Sequence, residues 1–224
     1  MSNIFEDNLP TIAILGGTGK IGPALAMRWA KAGLSIIIGS RQESKAQGVA
    51  HELKQKLDID DIVGMENSIA ARKADICVLT VESSAHKSAI ESLFEDLQGK
   101  ILVDTTARVD FRDPKPPSPP SAASMAQEKL GSGVRVVAAF QNVPASALKK
   151  NLDSPVDMDV LVCSDDIQAA STVIQLSKMA GVKAYYAGGL QNALVVEGIT
   201  ALLIHLNKHY GGHASIQVTG IDLG

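Results

Sequence analysis

Gly17, Gly19 and Gly22 stand at G-x-G-x-x-G spacing within the run Gly-Gly-Thr-Gly-Lys-Ile-Gly at 16–22, after an apolar run at 11–15 and before a helix-like stretch at 23–31. That spacing lets a strand turn tightly, brings backbone N–H groups close to a pyrophosphate, and aims a helix N-terminus at its negative charge. Glycine turns also occur in ordinary loops, but the strand before and the helix after favour a dinucleotide cradle. About 20 residues further on, such a cradle is normally matched by a carboxylate on the adenosine ribose. Here the second apolar run, 35–39, is followed by Ser40, Arg41 and, one turn later, Lys45. A carboxylate would repel a 2'-phosphate, whereas Arg41 can pair with it bidentately and Lys45 adds charge, so the sequence reads as NADP(H)-specific. Both cations would serve equally as solvated charges on a helical first turn; the upstream glycines favour the phosphate reading.

No other chemistry competes with the glycines. The sequence shows no nucleophile elbow, no H-E-x-x-H and no clustered metal ligands, so no metal site and no acid/base residues are assigned. His86, His205, His209 and His213 read as surface or packing residues, although His86 follows a strand end and could touch a nicotinamide. Cys77 and Cys163 lie in expected buried strands without C-x-x-C spacing and read as reduced core thiols.

The elements that must position these residues alternate. Strands are expected at 11–15, 35–39, 75–81, 100–105, 134–139 and 157–163, with helices between most of them. Near-continuous apolar strands separated by helices imply an α/β fold: a doubly wound parallel sheet of the Rossmann type, its ligand crevice at the strands' carboxyl ends. Residues 1–187 form the expected NADP-binding domain, and 188–224 a small C-terminal helical lobe that closes the crevice. In that lobe Val195, Ile199, Leu202, Leu203 and Leu206 recur at helical spacing, with Val196 and Ile204 widening the surface. A helix this apolar should be buried on the domain, on a second copy in a homodimer, or on both. Between them, the run at 113–120 carries five prolines and should be extended, either a spacer or one wall of the crevice mouth. Ser121 suits the N-cap of a helix reaching about Leu130.

At 224 residues and net charge -3, the chain has room for a substantial core and lacks the basic, aromatic-interleaved stripe of a nucleic-acid binder. Its first residues lack the charged and apolar regions of a signal peptide, and the apolar stretch at 193–206, interrupted by Glu197 and His205, falls short of a membrane span. A cytoplasmic protein with a small-molecule cofactor and no nucleic-acid or membrane partner is the expectation.

Beyond these readings, the chain resembles the NADPH-dependent reductases of the deazaflavin coenzyme F420. The residues that carry the resemblance are Ile-Leu-Gly-Gly-Thr-Gly-Lys-Ile-Gly (14–22), Gly-Ser-Arg (39–41) with Lys45, Leu-Thr-Val (79–81), Val-Val-Ala-Ala-Phe-Gln-Asn-Val (136–143) and Asn-Lys-His-Tyr-Gly-Gly-His-Ala-Ser-Ile-Gln-Val-Thr-Gly (207–220). The resemblance implies direct hydride transfer between C4 of the nicotinamide and C5 of the deazaflavin, two cofactors stacked between the domain and the C-terminal lobe. It implies that Thr18, Gly19, Lys20 and Ile21 hold the pyrophosphate beside Gly17, and that Ser40, Arg41 and Lys45 hold the 2'-phosphate. Thr80 and Val81, with Glu82 and His86 nearby, would flank the nicotinamide half. Gln141, Asn142, Val143 and Ala145, with Ala139, would line the deazaflavin side, and Glu197 and Thr200 would come from the closing helix. The chain departs from the family pattern at Glu82-Ser83, at Ala107-Arg108-Val109-Asp110, at Leu194 and at Gly198. Those changes gather on the acceptor side, which leaves open an NADPH-dependent reductase of a flavin, metal complex or small carbonyl compound. A non-catalytic NADPH-binding protein is the third reading.

Overall fold

The computed structural model describes Phe5 and residues 9–221, so most of the N-terminal segment read for a leader lies outside the described residues. Six strands, β1 (Ile12–Leu15), β2 (Ile36–Ser40), β3 (Ile62–Glu66), β4 (Ile76–Leu79), β5 (Ile101–Asp104) and β6 (Arg135–Ala138), form one parallel sheet in the order β3-β2-β1-β4-β5-β6. The chain winds outward from β1 in one direction, then returns to β4 on its other side, with Ile12 in register with both Ile36 and Ile76. This is the expected doubly wound Rossmann fold, and its topological switch lies between β1 and β4.

Alternation across the pleat explains why the central strands read as continuous apolar runs. Ile12 and Ile14 point into one core with Trp29, while Ala13 and Leu15 point into another with Cys77 and Leu79. Helices cover both faces: α1 (Ile21–Lys31), α2 (Glu43–Leu57), α3 (Asn67–Lys73), α4 (Ser83–Ser92), α5 (Ala122–Leu130), α6 (Ala145–Lys149) and α7 (Ile167–Met179). Ser121 caps α5 as expected, its side chain accepting from Ser124 N at 3.0 Å. Both cysteines are buried and free, and burial pushes the Cys77 thiol up to about 12 and the Cys163 thiol up to about 11. The proline run at 113–120 contains neither helix nor strand.

Four features differ from the sequence reading. β3 was not expected, and neither was β8 (Lys183–Tyr186). The strand expected at 157–163 is β7 (Asp159–Val162), which pairs with β8 in a separate two-stranded parallel sheet and meets the main sheet through an antiparallel bridge between Ala138 and Cys163. The long C-terminal helix, expected from Gly188, begins only at Ala193, after a 3-10 turn at Leu190–Asn192, as α8 (Ala193–Tyr210).

The side of α8 that carries Ala193, Val196, Glu197, Ala201 and Leu203 is buried. Its other apolar face is not buried on the domain, the first of the places expected for it. Val195 is 65% exposed, Leu202 59% and Leu206 43%, on a face no described residue covers. With the preceding turn, Leu190–Tyr210 is long and apolar enough by length and composition to cross a membrane. In this fold, however, its buried side carries a carboxylate engaged by the domain, as described next.

Candidate functional site

The candidate site begins where β1 turns into α1. Gly22 packs so closely on Gly17 that a side-chain carbon at position 22 would lie 2.7 Å from Gly17 Cα. That contact brings the start of α1 down onto the turn. The N–H of Gly17 is already spent on Gly39 O (2.8 Å). At Gly19, by contrast, a Cβ would meet nothing within 4 Å. The helix that follows has no side-chain cap and no acidic residue in its first turn, whereas Ser121 and Asp166 cap α5 and α7. An open cradle over Thr18, Gly19, Lys20 and Ile21 with uncapped helical donors fits a pyrophosphate.

At the end of β2, Ser40 is nearly buried and its Oγ accepts from Gln42 N (3.2 Å). Arg41 and Lys45 beside it are exposed, and neither side chain has a partner among the described residues. A free guanidinium and a free ammonium here suit a dianionic 2'-phosphate.

Across the switch point, successive strands are tied by their carboxyl-terminal carbonyls. Leu15 O accepts both N–H (2.9 Å) and Oγ1–H (3.1 Å) of Thr80. Leu79 O accepts the N–H (3.2 Å) and Oγ1–H (2.9 Å) of Thr105, and Asp104 O accepts Ala139 N–H (3.2 Å) and Gln141 Nε2–H (3.0 Å). The Thr80 hydroxyl proton is therefore spent inside the protein, leaving that oxygen only as an acceptor. Val81 lies half-buried after Thr80, and Glu82 is exposed at the start of α4.

One turn into α4, His86 is buried with its Nε2 2.6 Å from Oδ2 of Asp104, a fully buried carboxylate that also accepts Thr106 N–H at 3.0 Å. Burial pulls the imidazole pKa down, but the hydrogen bond and charge of Asp104, helped by Glu197, outweigh it and the net shift is upward. Among the other histidines, His205 bonds Pro114 O (2.7 Å), His209 stacks edge-on against Tyr210 and His213 is exposed.

Beyond β6 the chain passes Ala139 and then turns sharply at Phe140, a buried residue at φ 69° whose ring meets Trp29 edge to face at 5.9 Å. The turn delivers Gln141, Asn142 and Val143, all buried, and Ala145, the first residue of α6. Asn142 Nδ2 donates to Asp159 O (3.1 Å). Gln141 Oε1, Asn142 Oδ1 and Thr106 Oγ1 are buried with no protein partner. Such orphaned acceptors are costly unless something else supplies the donors, and ring N–H and carboxamide groups of a bound cofactor would do so.

The C-terminal helix docks on this region through polar contacts. Glu197 is wholly buried: Oε1 accepts Ala122 N (2.6 Å), and Oε2 accepts both the backbone N (3.3 Å) and Nε (3.0 Å) of Arg108. Desolvation raises its pKa, against the Ala122 and Arg108 contacts, which lower it. Thr200 Oγ1 donates to Gln141 O (3.0 Å). The chain then folds back so that Ile216 O accepts Asp159 N (2.9 Å) and Val218 N donates to Asp159 Oδ2 (2.6 Å). This segment of the 207–220 pattern thus braces the residue whose carbonyl holds Asn142.

The residues singled out in the sequence, from Gly17 to Thr200, gather along the carboxyl edge of the sheet. Asn67, Asp104 and Thr106 were missed, because a single sequence does not show which partner a lone Asn, Asp or Thr finds. Arg108 stands out in the sequence only as part of a departure from the family pattern. Two open cavities of about 340 and 710 Å³ flank Arg135, at the opposite edge of the sheet from the glycine loop.

A family described as NADP oxidoreductase, coenzyme F420-dependent, matches residues 11–108. An F420-dependent NADP reductase of Methanocaldococcus jannaschii is 40% identical over 229 residues, covering 95% of this chain and 99% of that protein. The chain belongs to the F420-dependent NADP reductase family. A second reductase of the family, from Methanothermobacter marburgensis, is 39% identical over 94% of this chain and 98% of its own length. A solved structure from Arthrobacter sp. FB24 superposes with a TM-score of 0.77 at 25% identity, covering 93% of this chain and all of that one. Both family reductases match along nearly their full lengths, so the family likeness reaches past the glycine loop to the acceptor side.

Proposed function

We propose that this protein transfers a hydride between NADP(H) and coenzyme F420. The reading is carried by one carboxyl edge of the sheet with two differently equipped halves. On one side lie an open pyrophosphate cradle at Gly19 and the unpaired Arg41 and Lys45. On the other lie the buried, partnerless acceptors of Gln141 and Asn142.

Thr18, Gly19, Lys20 and Ile21 would hold the pyrophosphate, and Ser40, Arg41 and Lys45 the 2'-phosphate. Thr80 and Val81 would flank the nicotinamide; Ala139, Gln141, Asn142, Val143 and Ala145 would line the deazaflavin side. The two cofactors supply the redox chemistry, donor at C4 and acceptor at C5, so the protein's task is orientation, a dry site and fixed dipoles. The chain's own residues suit that task. Thr80, Thr105 and Gln141 lock the strand ends together, and Gln141 and Asn142 donate through nitrogen so that their oxygens have fixed directions. Glu197 and Thr200 bind α8 to the site, and Ile216 and Val218 bind the segment after it to Asp159, so that the lobe beginning at residue 188 would close the cofactor site. No side chain need act as nucleophile or metal ligand.

The exposed face of α8 suits a second copy of the chain. Val195, Ile199, Leu202 and Leu206 repeat at heptad-like spacing along an 18-residue helix, and Tyr210 extends the row. An antiparallel pair centred beside Leu202 sets Ile199 opposite Leu206 and Val195 opposite Tyr210 on both sides, the self-complementarity that a two-fold contact needs. Size-exclusion chromatography with light scattering should find a dimer, and Leu202→Glu a monomer.

Mixing the purified protein with NADPH and either F420 or FMN tests the reaction. Loss of the deazaflavin absorption band is expected, with FMN left oxidised; bleaching of FMN without change in F420 would refute the reading.

A further inference from the structure

The glycine loop is held from outside. Gly16 N–H donates to Oδ1 of Asn67 at 3.1 Å, across 51 residues of sequence. Asn67 opens α3 and is only 8% exposed, yet its side chain caps nothing on its own helix, which has no side-chain cap. Its oxygen reaches the loop through a gap at Gly39: a Cβ there would lie 2.7 Å from Asn67 Oδ1. Gly39 in turn takes the next N–H of the loop, that of Gly17, on its carbonyl (2.8 Å). Two consecutive loop amides are therefore fixed by residues at the ends of β2 and β3, beside Ser40.

We propose that Asn67 is a positioning residue for NADP(H): its carboxamide oxygen clamps Gly16 so that the amides from Thr18 to Ile21 face the pyrophosphate, and Gly39 lacks a side chain to admit that clamp. The proposal rests on reading residues 16–22 as the NADP loop. Asparagine suits the position because it offers a neutral acceptor, where a carboxylate would put a negative charge behind a phosphate site. Removing it leaves the Gly16 N–H unpaired in a part-buried turn, which frees the loop to swing toward other partners.

Isothermal titration of NADP+ into the unmodified protein, Asn67→Ala, Gly39→Ala and the double variant tests this, with thermal melting and the KM for F420 measured on each. Asn67→Ala should raise the NADP+ Kd roughly ten-fold while the KM for F420 stays put. Gly39→Ala should do likewise, by pushing the same amide aside. The double variant should lose far less than the product of the two single losses, because both changes remove one interaction and only the lesser crowding of Ile14 O, 3.2 Å from a Cβ at position 39, is added. An unchanged NADP+ Kd in Asn67→Ala, even with a lowered melting temperature, would overturn the proposal. So would losses from the two substitutions that multiply. No binding of NADP+ by the unmodified protein would overturn the loop reading and this proposal together.

Discussion

Removing Arg108 should cost this protein more than the loss of a surface ion pair, and the cost should depend on pH. Arg108 Nε meets Glu197 Oε2 at 3.0 Å, with the two side chains 21% and 1% exposed. In Arg108→Met the Glu197 carboxylate stays buried without its counter-ion. Stripping one partner from a buried pair costs about 3–5 kcal/mol. Here the backbone N–H groups of Ala122 and of residue 108 still donate to the carboxylate, and the first sits at the positive end of α5. We therefore expect a loss nearer 2–3 kcal/mol, which for a chain of this size lowers the melting temperature by about 5–10 °C. Replacing the pair together, as Arg108→Met with Glu197→Gln, removes charge and counter-charge at once, leaves a carboxamide oxygen to accept the Ala122 N–H, and should recover part of the loss. Because desolvation already raises the Glu197 pKa, and losing Arg108 raises it further, the carboxyl can escape its burial cost by taking a proton. The native state then binds a proton that the unfolded chain, titrating near 4.3, has released, so stability is present at low pH and falls as pH rises through the native value. Urea denaturation followed by circular dichroism at pH 5 and pH 8 is the assay. The Arg108→Met penalty should be clearly smaller at pH 5. Equal penalties at the two pH values, or a double variant whose loss is the sum of the singles, would refute the reasoning.

Gly19→Ala should leave the melting temperature unchanged, since its methyl enters open space, yet weaken NADP+ in a titration; Gly22→Ala, landing 2.7 Å from Gly17 Cα, should lower both. Arg41→Ala should raise the KM for NADPH by ten-fold or more and leave NADH almost untouched, and equal losses would show that Arg41 does not read the 2'-phosphate. His86, its native pKa raised above about 6.5, lends stability that is present below that value and lost as pH rises through the native one. His86→Gln should accordingly flatten the melting temperature against pH from 6.5 upward, beyond any overall loss from leaving Asp104 unpaired.

The strongly patterned half of this molecule was readable without coordinates. β1, β2, β4, β5 and, after Arg135, β6 are buried on both faces and therefore appear as apolar runs, and the glycine motif announces the turn that β1 feeds. β3 escaped because Gly64 interrupts it; a Cβ there would lie 2.3 Å from the α2 backbone, so close packing imposes a residue with poor strand propensity. β8 escaped because only Ala184 of its four residues is buried, and β7 could be found but not assigned to its separate sheet. In the site, residues with motif spacing were legible, while those defined by a distant partner were not. Asn67 matters through Gly16, Asp104 through His86 and Arg108 through Glu197, contacts that exist only once the chain has folded. The α8 pattern correctly gave a helix, but a helical period does not say whether the domain or another copy covers its second face.

Direct transfer between the two cofactors is tested most directly with NADPH deuterated at C4 on the transferred face. Incubated with F420 and this protein in ordinary water, it should yield reduced F420 carrying the deuterium at C5, detected by mass spectrometry and proton NMR. Reduced F420 without the label, or NADPH left unconsumed in the presence of F420, would contradict the account.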